Sequence, residues 1–112
     1  MPKPVTSQTV TIPAGESLST VVDLTSGNLV LLMAPREWTP ANVSFLVSID
    51  GVEFVDLRDA EGGELARALQ ANAAATVSPE RTLGVSYLRI RSGTRERPVA
   101  QQAARILVCV IA

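Results

Sequence analysis

The side chains that usually perform catalysis or hold metal ions are scarce in this chain of 112 residues. It has no histidine, so it lacks an imidazole base, a partner for a serine or cysteine nucleophile, and a common metal ligand. The single cysteine, Cys109, excludes an internal disulfide framework and a thiolate zinc site. Acidic residues are plentiful, but a catalytic carboxylate pair could be drawn between almost any two of them. The sequence therefore predicts a protein that is not an enzyme and that holds no cofactor and no metal.

Carboxylates are concentrated between residues 50 and 64, where Arg58 is the one basic residue. The loop 59–64 could wrap a hard cation such as Ca²⁺, which prefers carboxylate oxygens as ligands. Its spacing matches no EF-hand loop, so we expect a solvated acidic loop instead. In that loop, Asp59 and Glu61 are candidates for contact with a neighbouring subunit.

Arginines are concentrated further along the chain, at Arg81, Arg89, Arg91, Arg95 and Arg97. The net charge of −1 and the small number of aromatic residues argue against nucleic acid and membrane surfaces as partners. Two interpretations remain open. The basic edge of one copy could meet the acidic edge of the next in a ring, or the two zones could pair within one molecule.

Trp38, the only tryptophan, lies in a loop between Pro35 and Pro40. An exposed indole ring could serve as a platform for a sugar or for a protein partner. It could also fold over the end of the domain and close the core, which is the interpretation we favour. Since the chain has only one Tyr and two Phe besides, carbohydrate binding has weak support.

The elements that must position these side chains have the pattern of β-strands. Turn-forming residues recur at short intervals, and the segments between them are rich in Val, Ile, Leu and Thr. The clearest alternation predicts four inward side chains on one strand, and a second alternating segment predicts two more. These predicted core residues are Val43, Phe45, Val47 and Ile49, followed later by Leu88 and Ile90.

Two further predictions concern the first half of the chain. Asp50-Gly51 predicts a two-residue hairpin turn, after which Val52 and Phe54 face the core. The run 29–34 has no polar member, which predicts a strand covered on both faces.

Residues 64–76 fit both a helix and strands, because their Ala, Leu, Glu and Arg favour a helix while their neighbours in sequence are strands. In total we expect an all-β, single-domain antiparallel sandwich of the jelly-roll type, with about eight strands, over residues 8–112. Residues 1–7 are predicted to form an extended N-terminal arm, which either contacts a neighbouring subunit or frays. No apolar run is long enough for a secretory signal or a membrane span, which predicts a soluble protein made in a reducing cytoplasm.

Motifs spread over nearly the whole chain carry a resemblance to a known group of proteins. They are Ile-Pro-Ala-Gly-Glu-Ser-Leu at 12–18, Asp23-Leu24, Met-Ala-Pro at 33–35 with Trp38-Thr39, Ser-Ile-Asp-Gly at 48–51, and Tyr-Leu-Arg-Ile-Arg-Ser-Gly-Thr at 87–94. In these motifs the chain resembles small virion proteins of tailed phages and gene transfer agents. Among them it is similar to the head-spike base, a β-sandwich set on capsid vertices.

This resemblance implies a structural virion protein, made in the host bacterial cytoplasm. Its expected role is a head-spike or vertex base, or a head decoration subunit, that forms a homo-oligomeric ring and attaches a fibre or another component of the particle. A tail or baseplate module is an alternative. The candidate assembly contacts are Pro2, Lys3, Pro4, Val5, Trp38, Asp59, Glu61, Arg89, Arg91, Arg95 and Arg97.

A second resemblance implies a different function. The Ser-Ile-Asp-Gly hairpin and the strand at 87–90 also resemble parts of discoidin-like and other carbohydrate-binding jelly rolls. That resemblance implies an adsorption module that binds glycans, with Trp38 on its binding face.

Overall fold

The computed structural model describes residues 5–58 and 61–112. Within them, the chain forms nine strands and one 3₁₀ turn, Pro79–Thr82. The strands are β1 (Thr6–Ile12), β2 (Leu18–Asp23), β3 (Leu29–Met33), β4 (Ala41–Ser48), β5 (Val55–Asp56), β6 (Ala66–Leu69), β7 (Ala74–Thr76), β8 (Tyr87–Ser92) and β9 (Arg105–Ile111).

The strands form two antiparallel sheets, and this confirms the predicted all-β class. One sheet has the order β1-β9-β3-β7, and the other has the order β2-β8-β4-β5 with β6 also paired to β4. Strand β5 pairs with β4 at Leu46 and Val47, and β6 pairs with it between Ala41 and Ser44. The two short strands therefore continue one another along the same strand and act as one interrupted edge.

The order of pairing is that of a long hairpin rolled into two layers. Strand β1 pairs with β9, β2 with β8, β3 with β7, and β4 with the interrupted edge β5 and β6. This nesting of early strands against late strands is the jelly-roll arrangement.

Residues 64–76 contain strands and no helix. Ala66–Leu69 pairs with β4, and Ala74–Thr76 pairs with β3 in the other sheet. Asn72, with φ of 54°, turns the chain between them in the left-handed region that Asn tolerates. The helix propensity of Ala and Leu amounts to only tenths of a kcal/mol per residue, so pairing with two existing strands outweighs it.

The hydrophobic core lies between the sheets. The predictions for Val43, Phe45, Leu88 and Ile90 are confirmed, since each is at most 1% exposed. They pack with other buried apolar side chains, among them Val10, Ile12, Val22, Leu29, Leu32, Leu107, Cys109 and Ile111.

The connection after β4 differs from the prediction. It runs from residue 49 to residue 54 and is not a two-residue turn. Ile49 and Val52 are each 81% exposed instead of facing the core, and Phe54 is half-buried. The cause is Asp50, whose Oδ1 accepts hydrogen bonds from the backbone N–H groups of Val52 (2.8 Å) and Glu53 (3.1 Å). These bonds hold a wide loop that carries Ile49 and Val52 away from the sheets.

Strand β3 also differs from the prediction, because only one of its faces is covered. Leu29 and Leu32 are buried between the sheets, whereas Leu31 is half-buried and Met33 is 43% exposed. In a two-layer sandwich the outer face of each sheet has no further layer to pack against. An apolar run is therefore not sufficient to show that both faces are buried within the subunit.

The predicted N-terminal arm, residues 1–7, overlaps the first strand. Strand β1 begins at Thr6, and it pairs with β9 from the pair Thr6–Ile111 onward. Thr6 and Ser7 thus belong to the sheet, and Val5 precedes it with 46% of its surface exposed. Pro2, Lys3 and Pro4 lie outside the described residues.

Candidate interaction surfaces

Strand β8 presents arginines on the outer face of the five-stranded sheet. Because Leu88 and Ile90 point inward, the alternation of the strand turns Arg89 and Arg91 outward. They lie between β2 and β4, with Val21 and Leu46 beside Arg89 and with Leu18 and Ser44 beside Arg91.

Arg91 is held between two carboxylates. Its Nη2 lies 2.9 Å from Asp56 Oδ1, in an ion pair without the alignment of a hydrogen bond, and it also donates to Glu64 Oε2. Its Nε donates to Ser44 Oγ at 2.9 Å. The side chain of Arg91 is only 11% exposed. Through these contacts Arg91 holds Asp56 and Glu64 over the outer face of the sheet.

Arg95 completes the same cluster. Its backbone N–H donates to Glu64 Oε2 at 2.9 Å, and its Nε lies 3.6 Å from Asp56 Oδ2. The acidic and basic zones therefore pair within one molecule, and the side chain of Arg91 is not available for the charge-paired ring. The pairing follows from the topology, which places the β5 edge two strands away from β8.

The remaining predicted charged contacts include Arg89, Arg97, Asp59 and Glu61. Arg89 Nε donates to the backbone oxygen of Ser19 at 2.9 Å, and its guanidinium carbon lies 5.8 Å from the centre of the Phe54 ring. Arg97 and Glu61 are exposed. Asp59 lies outside the described residues.

Trp38 belongs to the core, as the favoured interpretation predicted. It is 2% exposed, and its Nε1–H donates to the backbone oxygen of Leu69 at 3.1 Å. Its candidacy as an assembly contact or sugar platform is therefore wrong, because the ring packs into the end of the sandwich, where it closes the core.

A buried polar residue that no sequence motif indicates lies close to Trp38. Gln101 is fully buried, and its side chain bonds to both backbone groups of Thr39 (3.1 and 3.2 Å) and to Ser92 Oγ (3.0 Å). It also accepts a bond from Arg105 Nε at 3.2 Å. Gln101 lies in a polar, Ala-rich segment without a recognisable motif, and it serves to tie loops together.

The outer face of the four-stranded sheet has the opposite character from the arginine-bearing face. Cross-strand pairing places Thr9, Val108, Met33 and Ala74 in one row across all four strands. Neighbouring rows add further outward residues without charge. We call this set the uncharged face: Ser7, Thr9, Thr11, Leu31, Met33, Ala74, Thr76, Ile106, Val108 and Val110.

The exposure of the uncharged face is substantial for apolar side chains. Ile106 is 56% exposed and Met33 is 43% exposed, while Val108 and Val110 are half-buried. No predicted site residue lies in this set. The sequence of β9 does indicate an apolar outward row, because Ile106, Val108 and Val110 alternate with Leu107 and Cys109. The strands that lie beside β9 cannot be predicted from the sequence.

A second apolar surface lies at the loop 49–54. Its tip carries Ile49 and Val52, and beside it is a groove of about 310 Å³ lined by residues that include Val47, Val55 and Val85. The backbone N–H groups of Val52 and Glu53, followed by the hydroxyl of Ser48, donate to Asp50 and lower the pKa of its carboxyl group. The same hydrogen bonds therefore hold the loop and stabilise the charged form of the Asp50 carboxyl group.

The seam between β1 and β2 is closed by side chains in place of a strand ladder. The amide of Gln8 donates to the backbone oxygen of Asp23 at 2.6 Å and accepts from its N–H at 3.0 Å. Thr20 Oγ1 accepts from the N–H of Thr11 at 3.1 Å. These bonds occupy backbone groups that an edge strand would otherwise offer to another chain.

Across residues 5–58 and 61–112, no group of three or more His, Cys, Asp or Glu side chains is arranged to hold a metal ion. The same residues include no helix with the length and hydropathy needed to cross a membrane.

No protein-family model matches the chain, and no curated protein matches it in sequence. One solved structure to which it is similar is described in the words "Bacillus endospore appendages form a novel family of disulfide-linked pili". The likeness covers 96% of this chain and 88% of that chain, at 12% sequence identity and a TM-score of 0.38. A TM-score this low carries no argument about function.

Proposed function

We propose that this protein is a non-enzymatic structural subunit of a phage-type particle and that it binds neighbouring proteins through its uncharged face. The observation that carries the proposal is the contrast between the two outer faces of the sandwich. On one face, Arg91 and Arg95 are paired with Asp56 and Glu64 of the same molecule. On the other face, β-branched and apolar side chains are exposed without any charge.

This contrast is typical of a protein-binding surface. The centres of protein interfaces are depleted of charged residues, and Met is enriched there. Here Met33 and Val108 lie next to each other in the row that crosses all four strands. An open sheet face of this kind suits another protein surface better than a small ligand, which prefers a concave pocket.

The resemblance in the sequence motifs supports the more specific role of a head-spike or vertex base, or a head decoration subunit. In this role the chain would form a ring and attach a fibre or another capsid component. The contacts would come from the uncharged face and from the apolar loop 49–54, since Arg89, Arg91 and Arg95 of the expected charged edge have partners within the subunit.

The proposal is tested by locating the chain in particles. Particles from induced cells are separated by density gradient, and each fraction is analysed by mass spectrometry for this chain and for the major capsid protein. We expect the chain to sediment with intact particles in a fixed ratio to capsid protein. Recovery only among free proteins would contradict the proposal. Immunogold labelling of positive particles then separates a head vertex from a tail or baseplate.

The carbohydrate-binding alternative requires an exposed Trp38, and Trp38 is buried. Titration with glycans, followed by Trp38 fluorescence, is expected to leave the emission unchanged. A saturable change in emission would revive this alternative.

A further inference from the structure

We infer that the uncharged face docks against the same face of a second copy of this chain, across a two-fold axis. This inference rests on the proposed function, which makes that face a protein contact, and it adds the identity of the partner.

The charge distribution selects a second copy as the partner. Across a two-fold axis, residues close to the axis meet their own copies, so a charged residue there would meet an identical charge. The rows of the uncharged face, such as Thr9, Val108, Met33 and Ala74, contain no charge to be opposed in this way. A partner of another kind would gain no electrostatic complementarity from such a face, whereas a copy incurs no repulsion.

The other exposed apolar surfaces do not satisfy this condition. The loop 49–54 carries Asp50 and Glu53 beside Ile49 and Val52, so self-contact there would bring carboxylates together. On the outer face of the five-stranded sheet, Val21 lies directly beside Arg89. Self-docking is therefore favoured on the four-stranded sheet alone among the surfaces described.

The size of the face sets the expected strength of the contact. Four strands at a spacing of about 4.8 Å give a face roughly 20 Å wide, and at about 3.3 Å per residue its length falls from seven residues in β1 and β9 to five in β3 and three in β7. With side-chain relief, a pair of such faces buries roughly 1,000 Å², close to the lower limit for a specific interface. We therefore expect a dimer that dissociates on dilution.

The shape of the face also fits sheet-on-sheet packing. Val and Ile side chains on the two faces can interdigitate at a separation of about 10 Å, as they do inside a β-sandwich. Met33, near the middle of the face, has the flexibility to fill gaps between two such surfaces.

The test compares two arginine substitutions at sites of equal exposure. Met33 on the uncharged face is 43% exposed, and Val21 on the opposite sheet is 44% exposed. Sedimentation velocity is measured from about 1 to 200 μM for the unchanged protein, for Met33→Arg and for Val21→Arg. Circular dichroism and thermal unfolding confirm that both variants fold.

We expect the unchanged protein and Val21→Arg to shift from monomer to dimer as the concentration rises. Met33→Arg places two cations in each interface, so its dissociation constant should rise by at least about a hundredfold, which corresponds to about 2.8 kcal/mol. A monomer at every concentration for the unchanged protein would overturn the inference. So would a dimer that Val21→Arg disrupts and Met33→Arg does not.

If Met33→Arg fails to fold, Ile106→Arg takes its place, because Ile106 is 56% exposed on the same face. The outcomes also separate this inference from the proposed function. A monomer that still sediments with particles refutes the dimer alone and points to another virion protein as the partner. A dimer that is absent from particles refutes the particle role alone.

Discussion

Arg91 shows that a charged side chain can be paired so completely within its own subunit that it cannot form an ion pair with another protein. Its side chain is 11% exposed, and those of Asp56 and Glu64 are 16% and 21% exposed. Carboxylates in such surroundings depend on their cation, since each is partly removed from water. The sequence suggested both a ring contact and an internal pair, and only the register of β4, β5 and β8 decides between them.

Replacing Arg91 by methionine is expected to destabilise the fold by about 3 kcal/mol, because it leaves two neighbouring carboxylates without their cation. Arg97→Met is the control, since Arg97 is exposed and its loss should change stability by less than about 0.5 kcal/mol. Urea unfolding of both variants measures the difference. Equal stabilities would show that the Arg91 cluster contributes nothing.

Asp50 is expected to titrate below the ordinary pKa of an aspartate, which is about 3.9. The N–H groups of Val52 and Glu53 lower its pKa by bonding to the charged form. A lowered pKa in the folded state means that its contribution to stability is present above the ordinary pKa and is lost as the pH falls through the lowered one. NMR titration of the Asp50 carboxyl carbon measures this value. A midpoint at or above about 3.9 would contradict the hydrogen bonds described.

Single residues also show which burial states can be predicted from the sequence and which cannot. Leu88 and Ile90 were correctly predicted in the core because they alternate with arginines, which leaves one choice of inward face. Ile49 and Val52 continue an apolar alternation equally well, yet they are exposed. The difference is the hydrogen bonding of one carboxylate, which a pattern of apolar residues does not contain.

Elements are joined here by turns that tolerate little change, and Gly93 after β8 is the clearest case. Its φ is 90°, and a β-carbon at this position would lie 2.7 Å from the nitrogen of Val99 and 2.9 Å from Pro98 Cα. Its N–H also donates to the backbone oxygen of Asn42 at 2.6 Å. The turn therefore couples the end of β8 to β4 through backbone atoms that cannot move aside.

Gly93→Ala is expected to destabilise the protein by more than about 3 kcal/mol, because backbone strain and a clash with backbone atoms add together. Gly84→Ala is the matched control. Gly84 has a similar φ of 82°, but nothing lies within 4 Å of its added β-carbon, so the cost should be about 1 kcal/mol. Thermal unfolding distinguishes the two. Similar losses in both variants would show that the tight approach at Gly93 is relieved at little cost.

Gln8 joins two elements that share no strand ladder, so Gln8→Ala is expected to loosen the seam between β1 and β2. The loss of two hydrogen bonds to Asp23 should cost about 1 kcal/mol and speed amide exchange at Asp23. Thr9→Ala, a neighbouring exposed position on β1, is the control and should leave that exchange rate unchanged. Hydrogen exchange followed by NMR gives the result, and an unaltered rate at Asp23 in Gln8→Ala would refute the role of the seam.

At the level of elements, alternating β-branched residues predict strands. Residues 64–76 fit both a helix and strands, because their composition favours a helix while the segments around them are strands. Pairing with β4 and β3 decided that case. Pairing partners come from distant parts of the chain, so propensity alone could not provide them.

At the scale of the whole molecule, the reactivity of the Cys109 thiol measures whether the sandwich is intact. It is fully buried, and burial raises the pKa of its thiol to about 12. The native protein should therefore react with a thiol reagent at pH 7 to 9 only as fast as it unfolds, since both access and thiolate are lacking. Stopped-flow measurements in rising urea test this, with Val21→Cys as an exposed control that reacts at once. Rapid reaction of the native Cys109 would show that the sandwich opens locally.

The candidate contact surface is also a property of the whole molecule. Apart from Pro2, Pro4 and Val5 of the N-terminal segment, the predicted contacts are charged or aromatic residues, which stand out in a sequence. The uncharged face consists of ordinary Ser, Thr, Val, Leu, Ile, Met and Ala side chains from β1, β3, β7 and β9, and only the order of the sheet places them side by side. The alternation within β9 indicates one part of this face, but no local pattern shows which strands lie beside β9.

The position of β9 has a consequence for how the protein is made. Strand β9, which follows all the others along the chain, lies between β1 and β3 and supplies the middle of the uncharged face. Until residues 105–111 have left the ribosome, β1 and β3 have no strand to join them, so the sheet forms only after they emerge, and long-range pairing makes this step slow. A nascent or truncated chain therefore cannot present the docking surface. The proposed docking therefore requires a chain in which β9 has already paired with β1 and β3.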